Sequence, residues 1–122
     1  GSLILVGGEP GIGKSTLLTK VMDNLSKINE GNVLYISGEE SVGQIANRAK
    51  RLGISKGSFY VLNETSWQSI LSEINRIKPK FVVIDSIQTT VSEDITSPPG
   101  TISQIREVTY EIMNQVKSRG IN

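Results

Sequence analysis

A run of eight residues near the start of the chain carries the clearest chemical signal. The pattern Gly-x4-Gly-Lys-Ser spans residues 8–15, between an apolar run and an amphipathic segment. Closely spaced glycines let successive backbone N–H groups converge on a polyphosphate, and a helix that follows adds its partially positive N-terminus. The Lys14 ammonium would reach the β and γ phosphates, while the Ser15 hydroxyl would ligate Mg²⁺. The pattern therefore predicts a site for a nucleoside triphosphate, most simply ATP with Mg²⁺.

The predicted nucleotide contacts form one continuous stretch, in which Lys14 also has a catalytic role. These residues are Gly8, Glu9, Pro10, Gly11, Ile12, Gly13, Lys14, Ser15 and Thr16. Thr16 is expected at the α phosphate.

Asp85 directly follows the most apolar run of the chain, residues 81–84. A carboxylate at the carboxyl end of a buried parallel strand lies near the ligand crevice of an α/β sheet. Together with a phosphate loop, this position predicts a metal-side acid that holds Mg²⁺ through water.

Glu39 and Glu40 follow another apolar run, residues 33–36. Because the chain has no histidine, a carboxylate must polarise the attacking water. Glu40 also stands three residues after Ser37, at capping-box spacing, and Glu39 would suit the first turn of a helix. Position alone leaves both glutamates open as the catalytic acid.

Strand-like and helix-like segments alternate along the chain. Apolar runs at residues 3–6, 33–36, 59–62 and 81–84 predict buried strands, and Gly31 is expected to stop the first helix. Helical periodicity covers residues 15–28, 42–52, 66–77 and 102–116, with capping-box spacing at Ser41/Gln44, Thr65/Gln68 and Thr101/Gln104. The pattern predicts an α/β domain, a parallel sheet with helices on both faces, over residues 1–122.

The composition excludes several kinds of site. The 122 residues carry 13 Lys and Arg against 12 Asp and Glu, a net charge of +1, with neither cysteine nor histidine. Disulfides, cysteine-based zinc sites and imidazole chemistry are therefore excluded within this stretch. No apolar run approaches the ~20 residues of a membrane helix, and no signal peptide is visible, so we expect a cytoplasmic location and no membrane partner.

Nucleic-acid contacts have only local candidates. Arg48, Lys50, Arg51 and Lys56 form a basic cluster, although such a run at a helix end is more often a solvated face. Residues 88–101 form a long polar loop, a type that is often functional. Trp67 lies in the first turn of a helix, where core or interface packing is favoured over base stacking.

Five segments together resemble the bacterial RadA (Sms) family, which belongs to the RecA-like P-loop ATPases. They are Gly-Gly-Glu-Pro-Gly-Ile-Gly-Lys-Ser-Thr-Leu-Leu, Tyr-Ile-Ser-Gly-Glu-Glu-Ser, Asn-Arg-Ala-Lys-Arg-Leu-Gly, Val-Ile-Asp-Ser-Ile-Gln-Thr and Ser-Pro-Pro-Gly-Thr-Ile-Ser-Gln-Ile-Arg-Glu. The resemblance runs along nearly the whole chain.

The resemblance implies a DNA-dependent ATPase and helicase-like motor. Its DNA partner would be single-stranded or branched, in repair and recombination, and the full-length protein would form a homo-hexamer. It also implies that Glu39 is the catalytic glutamate, that Asp85 is the Walker B aspartate, and that residues 92–104 face DNA.

The family also carries an N-terminal four-cysteine zinc module, a Lys-Asn-Arg-Phe-Gly motif and a Lon-protease-like domain, none of which occurs in this stretch. The chain starts with Gly1-Ser2, and its last helix is followed by no further strand. We therefore expect that the chain is about the first half of an ATPase core, which is incomplete at its C-terminal end. Because the hexameric rings of RecA-like ATPases hold ATP between subunits, the chain alone is expected to hydrolyse ATP weakly or not at all.

Two other interpretations fit the motifs. The Ile-Asp-Ser-Ile-Gln segment also resembles replicative helicases of the DnaB type. An ATP-dependent regulatory switch without motor activity would need the phosphate loop but not the catalytic glutamate. A GTPase is disfavoured, because the chain lacks an Asn-Lys-x-Asp motif.

Overall fold

The computed structural model of the chain describes residues 1–29, 32–55 and 57–122. The predictions that concern Gly31 and Lys56 lie outside these residues. In chain order the elements are α1 (Lys14–Asn29), β1 (Val33–Ser37), α2 (Val42–Arg51), β2 (Tyr60–Asn63), α3 (Trp67–Ile77), β3 (Phe81–Asp85), a 3₁₀ turn (Ile87–Thr89) and α4 (Ile102–Arg119).

The three strands form a parallel sheet in the order β2-β1-β3. β1 lies in the middle and is buried along its whole length, because its neighbours cover both edges and helices cover both faces. The chain moves to one side of β1 through α2 and returns to the other side through α3. This reversal creates a crevice at the carboxyl ends of β1 and β3, where Ser37 is in register with Asp85.

Alternate residues of β1 pack into two separate apolar layers. Leu34 and Ile36 face the layer built by α3 and α4, which contains Trp67. Val33 and Tyr35 face the layer built by α1 and α2, which contains Met22 and Ile45. The predicted parallel sheet with helices on both faces is confirmed, and so is the packing of Trp67, which is only 3% exposed.

The helix starts follow the predicted caps with one exception. Ser41 and Gln44 form a complete capping box at α2, and the Thr101 hydroxyl accepts from the Gln104 N–H at α4. The predicted Thr65 cap is wrong, because Ser66 caps α3 by accepting from the Ser69 N–H. Thr65 instead accepts from the Val91 N–H through its carbonyl, 2.8 Å away. This bond ties α3 to the loop after β3.

The predicted strand at residues 3–6 is wrong in this structure. The segment has no regular secondary structure, and Ile4 and Leu5 are 79% and 82% exposed. A strand needs a hydrogen-bonded neighbour, and the position beside β3 is taken by Asn122, which bonds to Val82 N–H and Lys80 O. The apolar run therefore does not join the sheet.

The polar loop at residues 88–101 is partly anchored. The 3₁₀ turn occupies its start, and Thr90 and Ser92 are buried. Within the described ranges, no helix is long and apolar enough to cross a bilayer.

Candidate functional site

The phosphate loop is an exposed turn that leads into α1. Gly11 and Gly13 have φ angles of +80° and +105°, a region that side chains other than glycine rarely adopt. A Cβ built on either glycine meets no atom within 4 Å. The loop therefore has both the backbone shape and the open space that a phosphate cradle requires.

The first turn of α1 presents unpaired backbone donors to this space. The first hydrogen bond of the turn runs from Leu17 N–H to Gly13 O, at 3.0 Å. By helix geometry, the amides of Lys14, Ser15 and Thr16 precede any intrahelical acceptor. These three donors, together with the helix dipole, suit an anionic ligand.

Lys14 curls back over the loop. Its Nζ donates to Gly8 O at 2.6 Å and to Glu9 O at 2.9 Å. Since an ammonium has three N–H donors, one remains for a ligand oxygen. The loop thus holds the charge next to its own backbone donors.

Ser15 and Asp85, predicted from distant parts of the chain, are in contact. Ser15 Oγ donates to Asp85 Oδ2 over 2.5 Å, which joins the start of α1 to the end of β3. A hydroxyl beside a carboxylate is an oxygen donor set that suits Mg²⁺, an ion that keeps several waters and takes few protein ligands. The described residues contain no group of three or more His, Cys, Asp or Glu side chains that could hold a metal ion.

The structure separates the two candidate glutamates. Both of their N–H groups donate to Ser37 Oγ, at 3.3 Å for Glu39 and 2.9 Å for Glu40. Glu40 forms an ion pair with Arg48 at 2.6 Å. Glu39 is exposed, and its carboxylate bonds to no described residue. The Gly38 N–H donates to Asp85 O at 3.1 Å, so Glu39 follows the crevice edge directly.

Two further residues, Tyr35 and Arg48, were not predicted from the sequence as part of this site. Tyr35 is fully buried, and its hydroxyl donates to Asp85 Oδ2 over 2.7 Å. Arg48 lies over it, with Nη2 3.4 Å from the Tyr35 hydroxyl and Nε 3.1 Å from Thr19 Oγ1. A buried tyrosine needs a partner for its hydroxyl, and this was the available signal for Tyr35.

The surroundings shift two pKa values at this site. Burial, followed by the hydrogen bond to Asp85, raises the pKa of Tyr35 well above its ordinary value. For Arg48, burial alone would lower the pKa, but the hydrogen bond to Glu40 and the negative charge of that residue raise it above its ordinary value. Tyr35 is therefore a neutral donor and Arg48 a fixed cation at physiological pH.

The three described members of the basic cluster, Arg48, Lys50 and Arg51, do not form one surface. Arg48 turns inward to Glu40, whereas Lys50 and Arg51 are exposed near the end of α2. Residues 92–104 contain two acids, Glu93 and Asp94, and no lysine or arginine. The nearest cation that follows is Arg106, which is exposed on α4.

Comparison with known proteins places this geometry in a family. A family model described as an AAA domain matches residues 1–109. The chain is 56% identical over 121 residues to the DNA repair protein RadA of Bacillus subtilis (strain 168), and 52% identical to that of Helicobacter pylori (strain ATCC 700392 / 26695). Each alignment covers 99% of this chain but only 26% and 27% of the relative, so the chain spans about a quarter of their length.

The predicted resemblance to RadA and the predicted RecA-like P-loop core are thereby confirmed. The match includes the phosphate loop, β1 with the two glutamates that follow it, and β3 with Asp85. The chain therefore belongs to the AAA domain family and corresponds to part of a RadA-type ATPase core.

Proposed function

We propose that this chain binds ATP with Mg²⁺ and provides the hydrolytic half-site of a DNA repair ATPase. The observation that carries the proposal is the contact between Ser15 and Asp85 at the mouth of the phosphate loop. A hydroxyl that can ligate Mg²⁺ and a carboxylate that can bind its waters thus lie beside three free amides and the Lys14 ammonium. The relatives are DNA repair proteins, and the proposed cellular role is taken from them.

The division of labour follows from the contacts. The amides of Lys14, Ser15 and Thr16 and the Lys14 ammonium would hold the phosphates and offset charge that develops during phosphoryl transfer. Ser15 would ligate Mg²⁺ directly, and Asp85 would accept hydrogen bonds from its waters. Glu39 would polarise the attacking water, because its carboxylate is exposed and unpaired among the described residues while Glu40 is held by Arg48.

The decisive test replaces Glu39 by glutamine in the full-length protein. We expect ATP hydrolysis to fall at least about 100-fold, the usual contribution of a general base, while ATP affinity stays within about twofold. Glu107→Gln, an exposed glutamate on α4, is the matched control and should retain full activity. If Glu39→Gln hydrolysed ATP normally, the catalytic assignment would be wrong and the switch interpretation would be favoured.

For the whole protein we extend the proposal to DNA-dependent hydrolysis by a homo-hexamer in repair and recombination. Residues 92–104 are the candidate DNA-facing segment, but their net charge is negative. Phosphate attraction would have to come from neighbours such as Arg106. Single-stranded DNA should stimulate ATP hydrolysis by the full-length protein. Arg106→Gln should weaken DNA affinity most at low salt, and the difference from the wild type should shrink as salt rises, because the variant makes one phosphate contact fewer. An ATPase rate that DNA does not change would rule out the motor.

A further inference from the structure

Five side chains and one carbonyl form a closed ring of hydrogen bonds beneath the phosphate loop. Asp85 accepts from Ser15 and from Tyr35, Arg48 donates to Tyr35 and to Thr19, and the Thr19 hydroxyl donates to Ser15 O at 2.6 Å. The ring joins α1, β1, α2 and β3. Tyr35 and Thr19 are both fully buried, so the ring lies inside the fold rather than on its surface.

The two donors to Asp85 converge on the same oxygen. Ser15 Oγ and Tyr35 Oη lie 2.5 Å and 2.7 Å from Oδ2, and no described residue donates to Oδ1. Two bonds to one oxygen fix the rotation of the carboxylate, which leaves the second oxygen available to water on the metal. If the Ser15 oxygen turns to a metal, the Tyr35 bond still holds Asp85 in the same rotamer.

Arg48 extends the ring to the other side of the crevice. Its Nη1 donates to both Glu40 oxygens, at 2.8 Å and 2.6 Å, and its side chain is 11% exposed. The Asn63 side-chain amide donates to Glu40 O at 2.8 Å and so holds the same turn from β2. Because Glu39 is the preceding residue, the position of its backbone depends on these contacts.

We propose that Tyr35 and Arg48 are positioning residues that set the geometry between the metal-side carboxylate of Asp85 and the turn that carries Glu39. Neither touches the nucleotide. Tyr35 orients Asp85, and Arg48 ties Tyr35 and the first turns of α1 to Glu40. The inference rests on the proposed function, because the metal and nucleotide are those proposed above.

The test replaces Tyr35 by phenylalanine, which removes one hydroxyl and keeps the aromatic side chain that packs near Phe59. Tyr60→Phe is the matched control, since Tyr60 is 50% exposed on β2. Mg²⁺ is titrated into each variant in the presence of a fluorescent ATP analogue. The affinity of each variant for the same analogue is also measured in EDTA, without free Mg²⁺. We expect Tyr35→Phe to need about tenfold more Mg²⁺ for half-maximal binding, the usual effect of losing a partner of a metal ligand. Its affinity in EDTA should equal that of the wild type.

A purely structural role for Tyr35 would weaken binding equally with and without Mg²⁺, and that result would overturn the proposal. An unchanged Mg²⁺ requirement would overturn it as well. The conservative variant Arg48→Lys should keep a cation near Glu40 but lose the bridge to Tyr35 and Thr19, and so should shift the Mg²⁺ requirement in the same direction.

A double-mutant cycle on the unliganded chain separates this proposal from the nucleotide proposal. The loss of unfolding free energy caused by Tyr35→Phe should be smaller in an Asp85→Asn background than in the wild type, because the two groups share a bond. If the wild type bound no nucleotide, the proposed function would fail, and this coupling would still decide whether Tyr35 orients Asp85. Strictly additive losses would reject the orienting bond.

Discussion

The phosphate loop and the ring beneath it are built in opposite ways. The loop consists of consecutive, exposed residues that act through backbone donors and one lysine, and its shape depends on glycine. The ring consists of side chains from four elements, several of them buried, that act only because the fold brings them together. The proposed binding groups are thus presented on the surface, while the orientation of the proposed metal-side acid is set in the core. Substitutions in the loop should change the affinity for the ligand, whereas those in the ring should change both the affinity and the stability of the fold.

The largest effect is expected from Lys14→Ala. The ammonium bonds only to two exposed carbonyls of the loop, so its loss leaves no buried group unpaired. We expect ATP affinity to fall about 100-fold, or about 2.7 kcal/mol, because the charge that faces the β and γ phosphates is gone. The melting temperature of the unliganded chain should change little. Fluorescent ATP binding and thermal melting of the same samples measure both quantities.

Lys20→Ala is the control for this substitution, since Lys20 is an exposed lysine of the same helix. It should bind ATP like the wild type. A Lys14 variant that melted several degrees lower would contradict the separation between the loop and the core.

Next in size is the stability loss expected from Arg48→Met. This change keeps most of the side-chain volume but leaves the Tyr35 oxygen, Thr19 Oγ1 and the half-exposed Glu40 without their cation. Removing one partner of a buried ion pair costs about 3–5 kcal/mol, and exposure of Glu40 reduces this to about 2 kcal/mol. Urea denaturation measures the loss.

Arg51→Met on the same helix is exposed and should change stability by less than about 0.5 kcal/mol. Equal losses in the two variants would mean that the ring contributes no more than a surface charge.

The same contrast explains what the sequence could and could not predict. The loop was predictable because all of its chemistry lies in residues 8–15, and β1, β3 and the helices follow from local apolar periodicity. Asp85 was predicted as a site residue because it ends an apolar strand. Tyr35 and Arg48 were missed because their roles depend on side-chain distances across α2, β1 and β3, which no spacing in the sequence encodes.

Two local predictions failed for related physical reasons. Residues 3–6 have the composition of a buried strand, but strand formation requires a neighbour, and β3 is bonded to Asn122 instead. Thr65 and Gln68 have capping-box spacing, but the Thr65 carbonyl pairs with Val91, so the helix starts one residue later at the Ser66 cap. In both cases a backbone hydrogen bond between residues distant in the sequence determined which of the locally possible structures formed.

A smaller effect on stability is expected from Gly13→Ala. With φ at +105°, an alanine would be strained by about 1.5 kcal/mol, and its Cβ would enter the open space of the cradle. We therefore expect a modest loss of unfolding free energy together with a clear loss of ATP affinity. Urea denaturation and ATP titration of the same variant measure the two effects.

Gly43→Ala provides the opposite case. Gly43 lies in the first turn of α2, where a Cβ comes no closer than 3.9 Å to Ser41 Oγ. This variant should gain about 0.5 kcal/mol and bind ATP normally, because alanine lowers the entropy of the unfolded chain. If both glycine variants lost ATP affinity, the cradle would not explain the effect at Gly13.

A still smaller loss of stability than that of Gly13→Ala is expected from Asp23→Asn, in a buried polar cluster away from the site. Asp23 is 6% exposed and accepts from Lys27 Nζ and Ser58 Oγ, both at 2.6 Å. It lies nine residues after Lys14 on α1, or roughly 13 Å along the helix. Losing the charged acceptor should cost about 1 kcal/mol of unfolding free energy and leave ATP affinity unchanged.

The pH dependence of this loss tests its origin. Burial works to raise the pKa of Asp23, but the bonds to Lys27 and Ser58 outweigh it and hold the pKa below its ordinary value of 3.8. Because the folded pKa is the lower one, the contribution is complete above pH 3.8 and disappears as the pH falls through the folded pKa. Urea denaturation of both chains from pH 6 downward should show their difference shrinking in that window, since asparagine does not titrate. A difference that stayed constant to the lowest pH would assign the loss to packing, and Asp23 would then resemble the apolar core around Met22 more than the charged ring around Arg48.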